Sequence, residues 1–348
     1  MRRGKTVRLI WLPTGGQIGD AIMIISLFAE VLRHAPDAEI QYLVRRNAAF
    51  IIDLAAAYPN IKVISVPNSS IGALAAVVPL FKRRATMIAP PAWGVHPTVI
   101  KLLAVLFRVR GDTLLGFEDG TNFQPWGVTI SREKQKERYI DSLRRALNVV
   151  SIQTEPLGSP PRLELATIIP ADFPFAGKRF FVIHPFPHMA TFKTIPLRRW
   201  KDLIRWLGKE YPDMGIVITG AEVDCVQAQE VAAVADKNVF LAINRSLLEV
   251  AGLIEHAALY IGVDTGPTHI AGVLSAPSVV LAHQHEPAWL PSYNTNATLL
   301  YDKEHCVCGV LGEDCIVEEE GLRYRRCVYY IKDESIHDAI RAKIGSPA

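Results

Sequence analysis

No apolar stretch of this chain reaches the roughly 18 residues that a membrane-crossing helix needs; residues 71–81 are among the longest. The start, Met1-Arg2-Arg3-Gly4-Lys5, is basic, but the apolar segment after it, 7–12, contains Arg8 and is too short for a signal-peptide core. A cytoplasmic protein is expected. Cysteine is scarce, five in 348 residues, and a reducing compartment argues against disulfides. A full Gly-x-Gly-x-x-Gly with an acid about 20 residues on is missing, which counts against a nicotinamide-dependent oxidoreductase. Nucleic acid is not an expected partner either, because no nucleic-acid-binding motif is present and aromatic residues are not interleaved with the basic ones.

Apolar residues make up 49% of the chain, ample for two packed cores at this length. The net charge of +3 hides a split: residues 1–150 carry +9 and residues 151–348 carry −6. The basic clusters of the first half are Arg45-Arg46, Lys82-Arg83-Arg84, Arg108 with Arg110, and Arg144-Arg145. They are either solvated surface or an attractor for an anionic partner, such as a phosphorylated glycolipid or the inner membrane leaflet.

Strand-like and helix-like segments alternate. Strands are predicted over 7–12, 40–44, 63–66, 86–89 and 113–116, with helices over 20–34, 71–81, 98–107 and 133–147. Residues 151–178 hold Pro156, Pro160, Pro161, Pro170 and Pro174, cannot sustain a long helix, and read as a connection between domains. The pattern restarts with strands over 180–184, 215–219, 239–242, 258–263 and 278–281 and helices over 198–211, 223–235, 247–255 and 268–274. Two doubly wound α/β domains facing a cleft, the GT-B architecture, account for this order. The expected division is a first domain over 1–165, a second over 166–330, and a final helix within 331–348 that folds back on the first domain. Helices 71–81 and 98–107, each ending in basic residues, would be buried in the first domain or rest on a membrane surface.

The most informative stretch is Gly262-Val263-Asp264-Thr265-Gly266-Pro267-Thr268-His269-Ile270-Ala271, a buried strand running through a polar elbow into a helix. Asp264, Thr265 and Gly266 sit where the free N–H groups of a helix N-terminus can receive an anion, and His269 lies about one turn further in. Asp264 or Thr265 as a plain helix cap is the alternative. The Thr-Gly-Pro-x-His-x-Ala run resembles the donor-site motif of glycosyltransferase family 9, the bacterial heptosyltransferases of the lipopolysaccharide inner core.

The resemblance extends along the chain. Gly15-Gly16-Gln17-Ile18-Gly19-Asp20 is similar to the family's N-terminal Gly-Asp signature, with Gly16 and Gly19 in the acceptor-side loop. It assigns Asp20 as the general base on the acceptor hydroxyl, against the reading of Asp20 as a helix N-cap. His184-Pro185-Phe186-Pro187-His188-Met189-Ala190-Thr191-Phe192-Lys193 looks like the segment whose hydroxyl and lysine meet the donor diphosphate, which implies donor roles for Thr191 and Lys193. Lys193 would neutralise the departing diphosphate without a metal ion; otherwise it is one surface charge among 38 basic residues. Ile195-Pro196 stands where the family usually has Trp-Pro, a difference expected in the wall of the sugar pocket. Gly220-Ala221-Glu222 resembles a Gly-x-Glu element whose acid contacts the nucleoside. The implied protein is a metal-independent inverting glycosyltransferase. Its donor would be an ADP-heptose-type sugar, and its acceptor a lipopolysaccharide core sugar at the inner face of the inner membrane.

Four of the five cysteines crowd into Cys306, Cys308, Cys315 and Cys327. They are either ligands of a structural zinc or iron or reduced thiols, since the spacing is not a standard zinc pattern. His283-x-His285-Glu286 reads as a loop lining the donor pocket. Another donor, a protein acceptor, or a non-catalytic metal-stabilised binding protein of the same fold are the alternatives.

Overall fold

The computed structural model describes residues 6–14, 18–44, 48–67, 83–88, 109, 112–117, 128–130, 138–187, 191–235, 238–283, 293–307 and 315–345. The chain divides into two compact units, Met1–Glu164 and Leu165–Ala348.

In the first unit the described elements are β1 (Arg8–Thr14), α1 (Ile18–His34), β2 (Glu39–Val44), α2 (Ala48–Ala55), β3 (Ile61–Ser65), β4 (Thr86–Ile88), β5 (Thr113–Phe117), β6 (Val128–Ile130) and α3 (Tyr139–Val149). The strands form one parallel sheet in the order β3-β2-β1-β4-β5-β6. Winding starts in the middle, runs out to one edge and then crosses to the other side, so a switch point lies between β1 and β4. Leu9, Ile10, Trp11 and Leu12 are buried in succession, the run without alternation expected of a parallel strand covered on both faces. Helix α1 buries every residue from Ala21 to Val31, and its Phe28 meets Trp11 and Tyr42 edge to face at 5.3 and 5.6 Å.

Glu30 is buried on that helix and needs a partner. Arg144 of α3 provides it, with Nε 2.9 Å from Glu30 Oε2, and the same guanidinium donates to Asp141 Oδ1 at 2.9 Å and to Ser159 O at 2.8 Å. The proline-rich connection is thereby tied to the first unit. It holds no helix or strand from Ser151 to Arg179. Further along it, Ile168 N–H donates to Leu248 O at 3.1 Å, and a Cβ on Gly252 would lie 2.3 Å from Ile168 O, so glycine is required for this approach.

The second unit contains β7 (Phe180–His184), a 3-10 turn (Thr191–Lys193), α4 (Leu197–Glu210), β8 (Gly215–Gly220), a second 3-10 turn (Glu222–Asp224), α5 (Cys225–Ala232), β9 (Val239–Ile243), α6 (Leu247–His256), β10 (Leu259–Val263), α7 (Gly266–Val273), β11 (Ser278–Leu281) and β12 (Ala297–Leu300). A hairpin of β13 (Ile316–Glu319) and β14 (Leu322–Arg325) follows, then α8 (Arg326–Tyr329) and α9 (Asp333–Ile344). The sheet order is β12-β11-β10-β7-β8-β9, again parallel and wound outward from its middle. Local signals agree with the fold at α6, where Ser246 and Glu249 form a capping box.

Several expectations change. Helix α1 begins at Ile18, which puts Asp20 inside its first turn and not at the N-cap. The helix expected over 223–235 is a short 3-10 turn followed by α5. Within the second unit, helix α9 contributes Ile336, Ala339 and Ile340 to the core, packed with Phe181, Trp200, Leu203 and Ile261. Strands β6 and β12, helix α2 and the hairpin were not expected from the pattern. Segments 71–81, 98–107 and 131–137 lie outside the described residues, as do the clusters Arg45-Arg46 and Arg108 with Arg110.

Candidate active site

In a parallel sheet all carboxyl ends share one edge, and here β7 and β10 are spatial neighbours far apart in sequence. Side chains that leave the sheet at these ends therefore gather at its switch point, where doubly wound folds bind their ligands. Lys193 follows β7, Asp264 follows β10, and His283 follows β11.

Asp264 is the hub. It is 6% exposed, and its Oδ2 lies 3.1 Å from Lys193 Nζ and 3.1 Å from His283 Nε2, while Oδ1 lies 3.9 Å from His269 Nε2. His283 Nε2 meets the carboxylate at ion-pairing distance, and its Nδ1 has no hydrogen-bond partner among the described residues. Burial pushes the Asp264 carboxyl up, but the His283 side chain and the charges of Lys193, His283 and His269 outweigh it and hold the carboxyl well below the usual range. His269 goes the other way. Burial lowers it, with Lys193 adding to that effect and Asp264 opposing it.

Local contacts hold the lysine turn in place. Thr194 Oγ1 donates to Pro185 O at 2.9 Å and accepts from Trp200 Nε1 at 2.9 Å, which ties the end of the turn to β7 and α4. Phe192 lies under the Arg325 guanidinium, 4.8 Å from ring centroid to Cζ, so the β13–β14 hairpin braces the turn from the other side. Ile195 is buried in the apolar core of the unit. The side chain of Thr191 lies outside the described residues.

At the elbow, Thr265 is the N-cap residue of α7 in an extended conformation, yet its side chain makes no cap bond; its hydroxyl donates instead to Val263 O at 3.2 Å. Gly266 and Pro267 open the helix, and its N-cap side chain leaves the mouth uncapped. His269 is buried with Nδ1 3.4 Å from Tyr293 Oη. Glu222 is exposed at the start of the 3-10 turn after β8, the strand paired with β7. Gly220 permits that turn, since a Cβ there would press on Phe186 at 3.0 Å and Asp224 at 3.1 Å. His184, at the end of β7, has Nδ1 3.0 Å from Thr219 Oγ1. Because the Thr219 hydroxyl donates to Ile183 O, it accepts from His184, and Nδ1 carries the proton. Burial pushes His184 down to about 4.

Asp20 and Gly19 lie in the first turn of α1, directly after the carboxyl end of β1 at the switch point of the first sheet; Gly16 lies outside the described residues. Among the described residues no group of three or more His, Cys, Asp or Glu could hold a metal. Cys327 is buried in the apolar core with Cys306 packed against it, and Cys315 Sγ accepts from Arg325 at 3.7 Å. Cys308, His285 and Glu286 lie outside the described residues.

His283 is the member of the site that motif reading placed only in a lining loop; its single signal was a histidine directly after a buried strand. No described helix is long and apolar enough to cross a membrane.

Among curated proteins none matches the sequence. Solved structures with the same fold include the ADP-heptose lipopolysaccharide heptosyltransferase II of E. coli, at 16% identity and TM-score 0.71, covering 97% of this chain and 98% of that one. The E. coli heptosyltransferase WaaC with ADP follows at 15% identity and TM-score 0.67, covering 97% and 100%. The iron-containing dodecameric glycosyltransferase TibC of enterotoxigenic E. coli has 15% identity and TM-score 0.55, covering 97% and 76%. The family model for glycosyltransferase family 9 (heptosyltransferase) matches residues 130–312, more than half of the chain and nearly the whole described switch-point site. With two Rossmann-like units of the GT-B class, the chain belongs to glycosyltransferase family 9 and is a glycosyltransferase.

Proposed function

We propose that the protein transfers a heptose-type sugar from an ADP-sugar to a lipopolysaccharide core or related acceptor, with inversion and without a catalytic metal. The carrying observation is the Lys193–Asp264 pair at the switch point, beside the uncapped mouth of α7. A buried carboxylate fixes the lysine, and the lysine with the Thr265 hydroxyl and the amides at Gly266 offers positive potential to a diphosphate. Glu222 and Thr191 complete the donor contacts in this reading, Glu222 by accepting ribose hydroxyl hydrogen bonds. ADP in the WaaC structure, a protein of the same fold, supports the choice of nucleotide.

In the proposed step Asp20 takes the proton of the acceptor hydroxyl, and the oxygen attacks the anomeric carbon from the face opposite the diphosphate. The bond from that carbon to the diphosphate oxygen breaks, and its electron pair passes to the leaving ADP. Lys193 neutralises the growing charge there, the kind of electrostatic stabilisation that lowers barriers most. The lysine meets this need for charge, so the step is routed through no metal. The cysteines take no part in this step; among the described residues no group of three or more His, Cys, Asp or Glu could hold a metal. The basic excess of residues 1–150 suits an anionic acceptor at the inner face of the inner membrane.

Thermal-shift titration with ADP, UDP, GDP and NAD tests the donor class, since a ligand that binds the native state raises its stability. ADP should stabilise the protein most. Stabilisation by UDP or GDP with none by ADP would replace the donor, and stabilisation by NAD alone would refute a nucleotide-sugar site.

A further inference from the structure

One carboxylate oxygen, Asp264 Oδ2, serves two cations-in-waiting at the same distance: Lys193 Nζ and His283 Nε2, each at 3.1 Å. The two differ in freedom. Lys193 is 27% exposed on a short turn, whereas His283 is 2% exposed and its Nδ1 lacks a hydrogen-bond partner among the described residues. Asp264 is thus the one polar partner of the buried imidazole among the described residues, and a change at that carboxylate acts on it directly.

Such a state arises when an anion binds. A diphosphate draws Lys193 toward itself, and Asp264 is then left buried, negatively charged and close to another anion. His269 does not compensate for this, because burial keeps it neutral and its Nε2 stands 3.9 Å away on the other carboxylate oxygen. Resting on the donor-site reading, we infer that His283 takes over Asp264 when Lys193 turns to the diphosphate, and that it does so by taking up a proton. One proton moves from solvent to the imidazole, the Nε2–H faces Asp264 Oδ2, and no other bond changes. Before the ligand arrives Lys193 occupies the carboxylate and opposes a second positive charge beside it; afterwards that opposition is withdrawn. The titratable groups on this carboxylate, Lys193 from the turn after β7 and His269 from α7, are both included in that balance. His283 is thus a positioning residue that keeps Asp264 charged and compensated, and leaves Lys193 free for the phosphates.

The test is calorimetric titration at pH 7 with ADP, and with pyrophosphate as a diphosphate lacking any base, in two buffers of different ionisation enthalpy. The wild-type protein should take up a measurable fraction of one proton per bound ligand. His283→Gln, which keeps an N–H donor and cannot ionise, should bind within severalfold of wild type with no uptake; equal uptake by both overturns the inference. A ligand-free measurement covers a variant that misfolds. In Lys193→Met, NMR of the His283 ring should show it holding its proton to a pH about one unit higher than in wild type, and an unchanged titration overturns the inference. If neither ligand binds wild type, the donor-site reading fails, and the Lys193→Met titration still decides the role of His283.

Discussion

Lys193 Nζ stands 3.1 Å from Asp264 Oδ2, a contact between residues 71 positions apart that bridges the ends of β7 and β10. The ammonium is held by a carboxylate that is itself almost inaccessible, so its position is set by the sheet and not by the surface. Two strands that neighbour each other only because of the winding order thereby create a cationic point at the switch point.

Removing that ammonium should therefore weaken ADP binding measurably. Lys193→Ala is expected to lose about 1.5–3 kcal/mol of affinity, the range for a hydrogen bond to a charged group, with turnover falling further because the leaving group loses its countercharge. Isothermal titration and initial rates check this. An affinity equal to wild type would take Lys193 out of the donor site.

Asp20 separates fold from chemistry. It lies in the first turn of α1, where an acid gains from the helix dipole, but the helix begins two residues earlier at Ile18. Asp20→Asn should melt near the wild-type temperature and bind ADP normally, while transfer falls by roughly a hundredfold or more for want of a base. Wild-type turnover would refute the role, and a large fall in melting temperature would return Asp20 to the helix end.

Acid should destabilise the second unit in a defined window. His184 is lowered from 6.5 to about 4, and His269 is lowered as well, both first through burial. Between those values the unfolded chain binds the proton and the folded chain does not, so stability is full above about pH 6.5 and declines as the pH falls toward 4. His184 alone accounts for on the order of 3 kcal/mol. Asp264, also lowered, continues the loss below 3.8 as its carboxylate protonates. Urea unfolding of the second unit at pH 7 and pH 4.5 measures the slope, which should be clearly shallower in His184→Gln; equal slopes would show that His184 does not govern it.

The buried Glu30–Arg144 pair makes a stability prediction for the first unit. Both side chains are fully buried, and the guanidinium also serves Asp141 and Ser159 O. Arg144→Met leaves the buried Glu30 without its cation, while Asp141 keeps Arg138, and should cost about 3–5 kcal/mol, whereas replacing Glu30 and Arg144 together by apolar residues should recover part of that loss. Denaturant midpoints of the two variants decide it, and a double variant no more stable than Arg144→Met would mean that packing, not charge, dominates there.

Much of this protein was already legible in its sequence. The runs 180–184 and 258–263 are apolar without alternation, as strands covered on both faces must be, and the prolines between 156 and 174 rule out regular structure there. The Asp264-Thr265-Gly266 elbow and Lys193 were evident because strand-to-helix turns and their chemistry are local. An amphipathic helix declares that it has an apolar face and not which sheet will cover it, so the place of Ile336, Ala339 and Ile340 in the second unit's core was not legible beforehand, nor was the burial of Cys327 in the same core. The sequence by itself determined the alternation of elements and the proline-rich break between two runs of them, because these follow from periodicity and proline, while the candidate-site residues were marked by motifs that resemble those of the family. Only the tertiary structure decided that Lys193, His283 and His269 converge on Asp264. That convergence depends on a strand order which places β10 beside β7 and β11 beside β10, and no local signal encodes which strands become neighbours.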